Sequence, residues 1–276
     1  MTGTSTVNRM SKPITLITGA SSGIGVELAR IFARDGFALA LTARRVERLN
    51  ALADEIEKMG QPRPLVISAD LARSGATRAI ADALNAAGVE PQYIVNNAGF
   101  GLVGQAAKLD RAEQLEIIDV NTRALTELSL SFIDSLERHK GGILNVGSVA
   151  GFLPGPGSAV YYASKAYVLS FSEALYTELK PRGIRVTVLC PGPVPTEFAA
   201  RAGVKSKIAP GLLVQTAQDV AEAGYRGFMD GHRVVVPGSA NRLVMVLARI
   251  LPRRIVLGLV GRRQSQRTST AETPGV

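Results

Sequence analysis

Three residue types placed to move a proton stand close together in this chain: Ser148, and thirteen residues later Tyr161, followed at a spacing of four by Lys165. A tyrosine and a lysine four apart share one helix face, which brings a phenol and an ammonium within reach of one ligand. A free phenol titrates near pH 10 and is a poor acid or base at neutrality. A cation beside it favours the phenolate, so Lys165 is expected to draw Tyr161 towards the range useful for general acid and base work. Ser148 carries a hydroxyl that can hold a substrate oxygen while Tyr161 exchanges its proton. Taken alone, a Tyr-x-x-x-Lys match is weak, because it occurs by chance on many helices.

These side chains need elements to hold them, and the sequence supplies a regular alternation. The run Ile14 to Thr18 reads as a buried strand, Gly19 to Gly25 as a glycine-rich turn, and Val26 to Ala33 as the helix that follows. In such a unit the helix start offers free N–H groups and partial positive charge, a site for phosphate that needs no lysine. The spacing Gly19-x-x-x-Gly23-x-Gly25, enclosing Ser21, Ser22 and Ile24, differs from Gly-x-Gly-x-x-Gly and lacks the Gly-Lys-Ser/Thr ending of a P-loop. It is read as a dinucleotide-binding turn, with an ordinary turn as the alternative. Further strands are expected over residues 38–42, 64–69, 93–96, 142–147, 185–190 and 232–236, with helices between. One helix, Val46 to Lys58, carries Leu49, Leu52, Ala53 and Ile56 on its packing face. Strand and helix in strict alternation predict an α/β doubly wound Rossmann fold: a mainly parallel seven-stranded sheet, helices on both faces, one domain. Residues 1–12 are expected to be flexible, 13–240 to form the cofactor-binding and catalytic domain, 241–261 a helical extension, and 262–276 a flexible tail.

In such a sheet ligands lie beyond the carboxyl ends of the strands. After the second strand come Arg44 and Arg45, where an NAD-preferring site would place an acid for the ribose 2′-hydroxyl. Arginine there suits a 2′-phosphate and can stack on adenine, so NADP is the cofactor implied, with Arg44 as the lead contact. The alternative is a solvated helix start formed by Arg44, Arg45 and Arg48. After the third strand, Asp70-Leu71 either meets the adenine amino group through the Asp70 carboxylate or caps a helix. After the fourth, Asn96-Asn97-Ala98-Gly99-Phe100-Gly101 can line a cofactor groove: Gly99 permits close approach to the ribose, and an Asn side chain can bridge neighbouring strands.

With these motifs in order, the chain resembles the short-chain dehydrogenase/reductase family over roughly residues 12–240. The resemblance rests on Thr18 to Gly25, on Asn96 to Gly99, and on Asn121, Ser148, Tyr161 and Lys165, which match the family's active-site tetrad. It implies an NADP(H)-dependent oxidoreductase interconverting a carbonyl and a secondary alcohol. By the same resemblance, Lys165 binds the nicotinamide ribose hydroxyls and Asn121 positions a water linking Lys165 to solvent. Pro191-Gly192-Pro193-Val194-Pro195-Thr196 meets the nicotinamide end, with Val194 and Thr196 at the carboxamide. An oxidised nicotinamide would add positive charge beside Tyr161. Tyr162 is the decoy, and the thirteen-residue offset from Ser148 favours Tyr161. Gly147 departs from the pattern, since many members carry a second serine there, and this is expected to touch substrate fit. The resemblance further implies a homodimer or homotetramer built on the helices holding Asn121 and Tyr161. No metal is required.

Composition sets the remaining bounds. Of the 276 residues, 46% are hydrophobic and 20% charged, as in a well-packed globular protein. Cys190 is the only cysteine, so neither an intrachain disulfide nor a cysteine-held metal is available, and it reads as a buried strand residue. The polar segment Met1 to Lys12 lacks the apolar core of a signal peptide, and a cytosolic protein is expected. The net charge of +9 is concentrated at the C-terminal end, where seven arginines and one glutamate follow Asn241. Without an aromatic-interleaved basic stripe, a nucleic-acid partner has little support. The apolar segment Leu243 to Val260, broken by Arg249, Pro252, Arg253 and Arg254, is too interrupted to span a bilayer. It is expected to form short helices closing the substrate pocket or an oligomer interface, with weak contact to a membrane surface as the alternative. Residues Glu197 to Leu213, including Ala199, Gly203, Lys205 and Lys207, read as a mobile lid or an ordinary surface loop. A small-molecule carbonyl or alcohol, hydrophobic or lipid-like, is the expected substrate. The rival reading is a non-catalytic NADP(H)-binding redox sensor.

Overall fold

A computed structural model describes residues 11–202 and 211–269. Seven strands form one all-parallel sheet: β1 (Lys12–Thr18), β2 (Leu39–Ala43), β3 (Leu65–Ser68), β4 (Val89–Asn96), β5 (Gly142–Val146), β6 (Arg185–Leu189) and β7 (Val234–Val235). Their order across the sheet is β3-β2-β1-β4-β5-β6-β7. The chain therefore winds outward from β1 in one direction, then returns to β1 and winds the other way. Between β1 and β4 lies the switch point at which such sheets bind ligands.

The strands are apolar because both faces are covered. Ile14 and Leu16 of β1 face a cluster with Ala40, Ile67, Ile80 and Leu84, while Ile17 faces one built from Leu41, Tyr93, Val95 and Phe32. Helix α1 (Gly23–Arg34) contributes Leu28 and Phe32 to the second cluster. Helix α2 (Val46–Lys58) has the bounds expected from sequence and buries Leu49, Leu52, Ala53 and Ile56. Then come α3 (Ala76–Ala86), α4 (Arg111–Ile118), α5 (Leu125–Ser131), α6 (Ile133–Arg138) and the long α7 (Ala159–Leu179). The last four helices are α8 (Glu197–Arg201), α9 (Ala217–Met229), α10 (Ser239–Ile250) and α11 (Arg253–Ser269).

Two strands depart from expectation. β4 starts four residues early and takes in Pro91, which has no N–H to donate; the register with β1 shifts between Ile14 and Thr15, a bulge that absorbs the misfit. β7 shrinks to Val234–Val235 at the sheet edge, where it pairs on one side only.

Candidate active site

The turn after β1 is set by one hydroxyl. Thr18 is 1% exposed, and its Oγ1 accepts from Asn97 N and Ala98 N, both at 3.0 Å, while donating to Val95 O at 3.3 Å. Asn97 answers from β4: its Nδ2 donates to Thr18 O at 3.0 Å and Gly19 O at 3.1 Å, so one amide fastens the two strands flanking the switch point. Its neighbour Asn96 does the same towards β5, donating to Asn145 Oδ1 at 2.9 Å. Gly19 turns with φ +65°, and a Cβ there would lie 2.8 Å from Ala98 Cα. Gly23 opens α1 with φ +58°, and neither a side-chain cap nor an acidic first-turn residue covers the helix start.

A cavity of about 930 Å3 runs from this turn across the strand ends. Of the expected cofactor contacts, Gly19, Ser21, Ser22, Gly23, Ile24, Arg44, Asp70, Leu71, Asn97, Ala98 and Gly99 line it, as do Pro191, Gly192, Val194 and Thr196 further along. Gly25 does not. It stands behind the turn, where a Cβ would fall 2.5 Å from Gly19 O and from Asn97 Nδ2, so it serves the packing of helix on turn. Asp70 caps no α-helix: its Oδ1 accepts from Ala72 N at 3.2 Å in a local turn, and the residue before α3 is Gly75.

The arginines after β2 hold carboxylates of the protein itself. Arg44 pairs with Glu116 at 3.4 Å, and the same oxygen lies 3.5 Å from Arg201 of α8. Arg45 donates to Glu197 at 2.7 Å and to Ser21 Oγ at 3.1 Å, and Arg48 pairs with the second oxygen of Glu197. Both guanidinium groups hold Glu197 below the usual carboxylate range. The expected lid thus begins as a short helix, capped by Thr196 and tied to the arginines. Gly203, Lys205 and Lys207 lie outside the described residues.

Ser148, Tyr161 and Lys165 converge on the cavity from β5 and α7. Ser148 Oγ accepts from Ala150 N at 3.1 Å, starting a tight turn over Val149–Phe152, and donates over a long 3.5 Å to Pro191 O, a bond that a substrate oxygen in the cavity can replace. Lys165, 4% exposed, donates to Val146 O at 2.7 Å. Burial lowers its pKa to about 8. Burial likewise raises Tyr161 to about 12, against which an interaction with Ser148 pulls down. The expectation that Lys165 draws Tyr161 towards neutrality is therefore not met by the protein's own groups, because desolvation of the phenolate outweighs them.

Asn121 does not line the cavity. It sits in a wide π-turn, Asp119–Ala124, where its amide receives Phe100 N at 3.1 Å and donates to Phe100 O and Ser164 Oγ, both at 3.0 Å. Gly99 fits between it and the lysine: a Cβ would be 3.0 Å from Asn121 Oδ1 and 3.4 Å from Lys165 Nζ. Gly101, read in the sequence only as part of the groove-lining loop, gives Tyr161 its place, since a Cβ would meet the ring at 2.8 Å. Tyr162 packs on Gly155, with its ring edge-on to Tyr161 at 6.0 Å. Gly147 is a packing glycine whose Cβ would press on Val188 at 3.0 Å and on Cys190 Sγ at 3.3 Å. Cys190 is buried, and burial pushes its thiol up to about 12.

The far end of the cavity is apolar. Val244, Ala248 and Leu251 of the α10 region and Val256, Leu259 and Val260 of α11 line it.

Comparison with known proteins decides the family. The model of the short chain dehydrogenases matches residues 13–206. The chain belongs to the short-chain dehydrogenase/reductase family. It is 40% identical to sulfoacetaldehyde reductase 2 of Chromohalobacter salexigens over 217 residues, covering 76% of this chain and 85% of that one. Among solved structures, a short-chain dehydrogenase from Sphingobium yanoikuyae in complex with NADPH shares 31% identity at a TM-score of 0.75, covering 96% and 97% of the two chains. The bulky-bulky ketone specific alcohol dehydrogenase from Comamonas testosteroni shares 28% identity at a TM-score of 0.71, covering 96% of each. This short-chain dehydrogenase/reductase is therefore an oxidoreductase acting between alcohol and carbonyl with a nicotinamide dinucleotide.

Proposed function

We propose that the protein is an NADP(H)-dependent reductase of hydrophobic ketones, with Tyr161 as the general acid and base. One observation carries the reading: Ser148 and Tyr161 meet, at the apolar end closed by α10 and α11, a cavity whose other end is bordered by Arg44 and Arg45. The residues present fit a dinucleotide, because the uncapped start of α1, opened by Gly23 at φ +58°, leaves first-turn backbone N–H groups to face a pyrophosphate. Ser21, Ser22, Gly23 and Ile24 would hold that group, Arg44 and Arg45 the 2′-phosphate, Asp70 and Leu71 the adenine, and Lys165 the nicotinamide ribose. When bound, the dinucleotide supplies or accepts the hydride.

The protein's own part is proton handling. Ser148 donates a hydrogen bond to the substrate oxygen and polarises the carbonyl. Tyr161, held protonated by burial at a pKa of about 12, presents a phenol as the proton donor, the form that carbonyl reduction needs. Lys165, braced on Val146 O, stands one helical turn away and keeps a titratable group near pH 8 behind the phenol. The NADPH complex of the Sphingobium relative supports the cofactor, and the bulky-ketone relative supports the substrate class. A homodimer is proposed through α4, α5 and α7, which expose Leu115 and Ile118, Leu130, and Tyr167 respectively.

The test is a panel of aliphatic and cyclic ketones followed by NADPH and NADH absorbance, with Tyr161→Phe beside the wild type. NADPH oxidation abolished in the variant, with NADPH binding retained, is expected. Undiminished turnover in Tyr161→Phe refutes the assignment. NADPH binding without oxidation of any carbonyl would favour a redox sensor.

A further inference from the structure

Helix α10 has two apolar faces. Asn241, Val244, Ala248 and Leu251 turn to the cavity, while Leu243, Val246, Leu247 and Ile250 form a second stripe at helical spacing. The second stripe faces water: Leu243 is 58% and Ile250 73% exposed. Helix α11, which follows after Leu251 and Pro252, likewise exposes Ile255 and Leu257. Leu247 and Leu259 belong to both faces, since each lines the cavity and is also exposed. Leu247 and Leu259 thus join the exposed apolar positions to the rim of the substrate pocket.

Charge indicates what this surface meets. From Asn241 to Ala271 the sequence contains seven arginines and no acidic residue. Arg253 and Arg254 are exposed between the apolar positions of the two helices. A second copy of the chain docked face to face about a two-fold axis would set one wholly basic segment against another. An anionic surface neutralises them instead. Among the described residues no helix is long and apolar enough to cross a membrane, which leaves in-plane contact.

We propose that α10 and α11 dock the enzyme on anionic bilayers, with the exposed stripe entering the acyl boundary, the arginines meeting lipid phosphates, and the pocket rim opening at the membrane surface. A lipophilic ketone dissolved in the bilayer then reaches Tyr161 without crossing water. The last step rests on the substrate class proposed above; the docking itself does not, and a binding assay without turnover separates the two.

The experiment is co-sedimentation of the full chain with phosphatidylcholine vesicles, with or without phosphatidylglycerol. Two variants accompany it, Ile250→Glu/Leu257→Glu and Arg253→Glu/Arg254→Glu, all at exposed positions that do not line the cavity. The wild type is expected to partition onto anionic vesicles at least about tenfold more strongly than onto neutral ones, and to release as salt rises. Each variant is expected to lose about tenfold of that binding while keeping NADPH affinity, which reports an intact fold. Equal binding to both vesicle types overturns the proposal, as does full binding by either variant. Absence of vesicle binding, with a dimer that Ile250→Glu/Leu257→Glu dissociates, would assign the face to a second copy and also overturn it.

Discussion

Replacing Thr18 by valine keeps the side chain's shape and removes the oxygen on which the cofactor turn is built. Ala98 N has Thr18 Oγ1 as its partner at 3.0 Å, whereas Asn97 N also reaches Val95 O at 3.1 Å. With the site 1% exposed, water cannot substitute without entering the core. Orphaning one buried donor costs about 1–3 kcal/mol, and weakening the other adds about 1 kcal/mol, so a loss of roughly 2–4 kcal/mol is expected. For a domain near this size that lowers Tm by roughly 4–16 °C. Thr18→Ser supplies the contrast. It deletes a buried methyl, worth about 1 kcal/mol, and keeps the oxygen, so it should be the milder change although it removes more apolar volume. Thermal unfolding of the three proteins, with NADPH titrations by fluorescence, reads both stability and the turn. If Thr18→Val melted with the wild type, or if Thr18→Ser proved the more damaging, the hydroxyl would not be the hub described here.

Other outcomes follow from single contacts. Gly101→Ala places a methyl 2.8 Å from the Tyr161 ring, so kcat should fall at least about tenfold with NADPH affinity unchanged; wild-type kcat would mean that the ring has room to move. Glu197→Gln frees Arg45 and Arg48 and should tighten NADPH binding a few-fold with NADH unaffected, measured by calorimetry; weaker NADPH binding would mean that the carboxylate assists the cofactor. Lys165 has a folded pKa of about 8 against an ordinary 10.5, so the unfolded chain binds more protons between these values. The wild type should therefore gain stability relative to Lys165→Met as pH rises from about 8 to about 10.5, and urea unfolding at several pH values would show a pH-independent difference between the two proteins if the lysine were not desolvated.

Much of this was legible in the sequence because it is local or periodic. Strand-helix alternation set the doubly wound sheet, the spacing of Leu49, Leu52 and Ile56 set α2, and the four-residue step set Tyr161 above Lys165. Less legible were matters decided by residues far apart. Glu197 lies 152 positions from Arg45, and no pattern in either neighbourhood announces the pair. The raised Tyr161 follows from burial, which a sequence does not display, whereas the nearby lysine is plain in the spacing. Gly25 looked like a cofactor residue because it shares the turn's rhythm, yet its missing side chain makes room for Asn97. Gly101 did offer a signal: it is a second glycine, two residues after Gly99, in a loop where one sufficed for the ribose. The outward stripe of α10 was obscured by the inward one, since two apolar faces on one helix blur its periodicity.

The pairing of Glu197 with Arg45 and Arg48 bears on how salt should act on cofactor affinity. Three arginines beside a proposed 2′-phosphate would ordinarily make binding strongly sensitive to ionic strength. Here the guanidinium groups already hold anions, so a phosphate arriving at Arg44 and Arg45 trades places with Glu116 and Glu197 instead of meeting bare charge. Salt weakens the outgoing pair as well as the incoming one, and much of its effect cancels. Discrimination between the two dinucleotides should then persist across ionic strengths at which simple charge attraction fades.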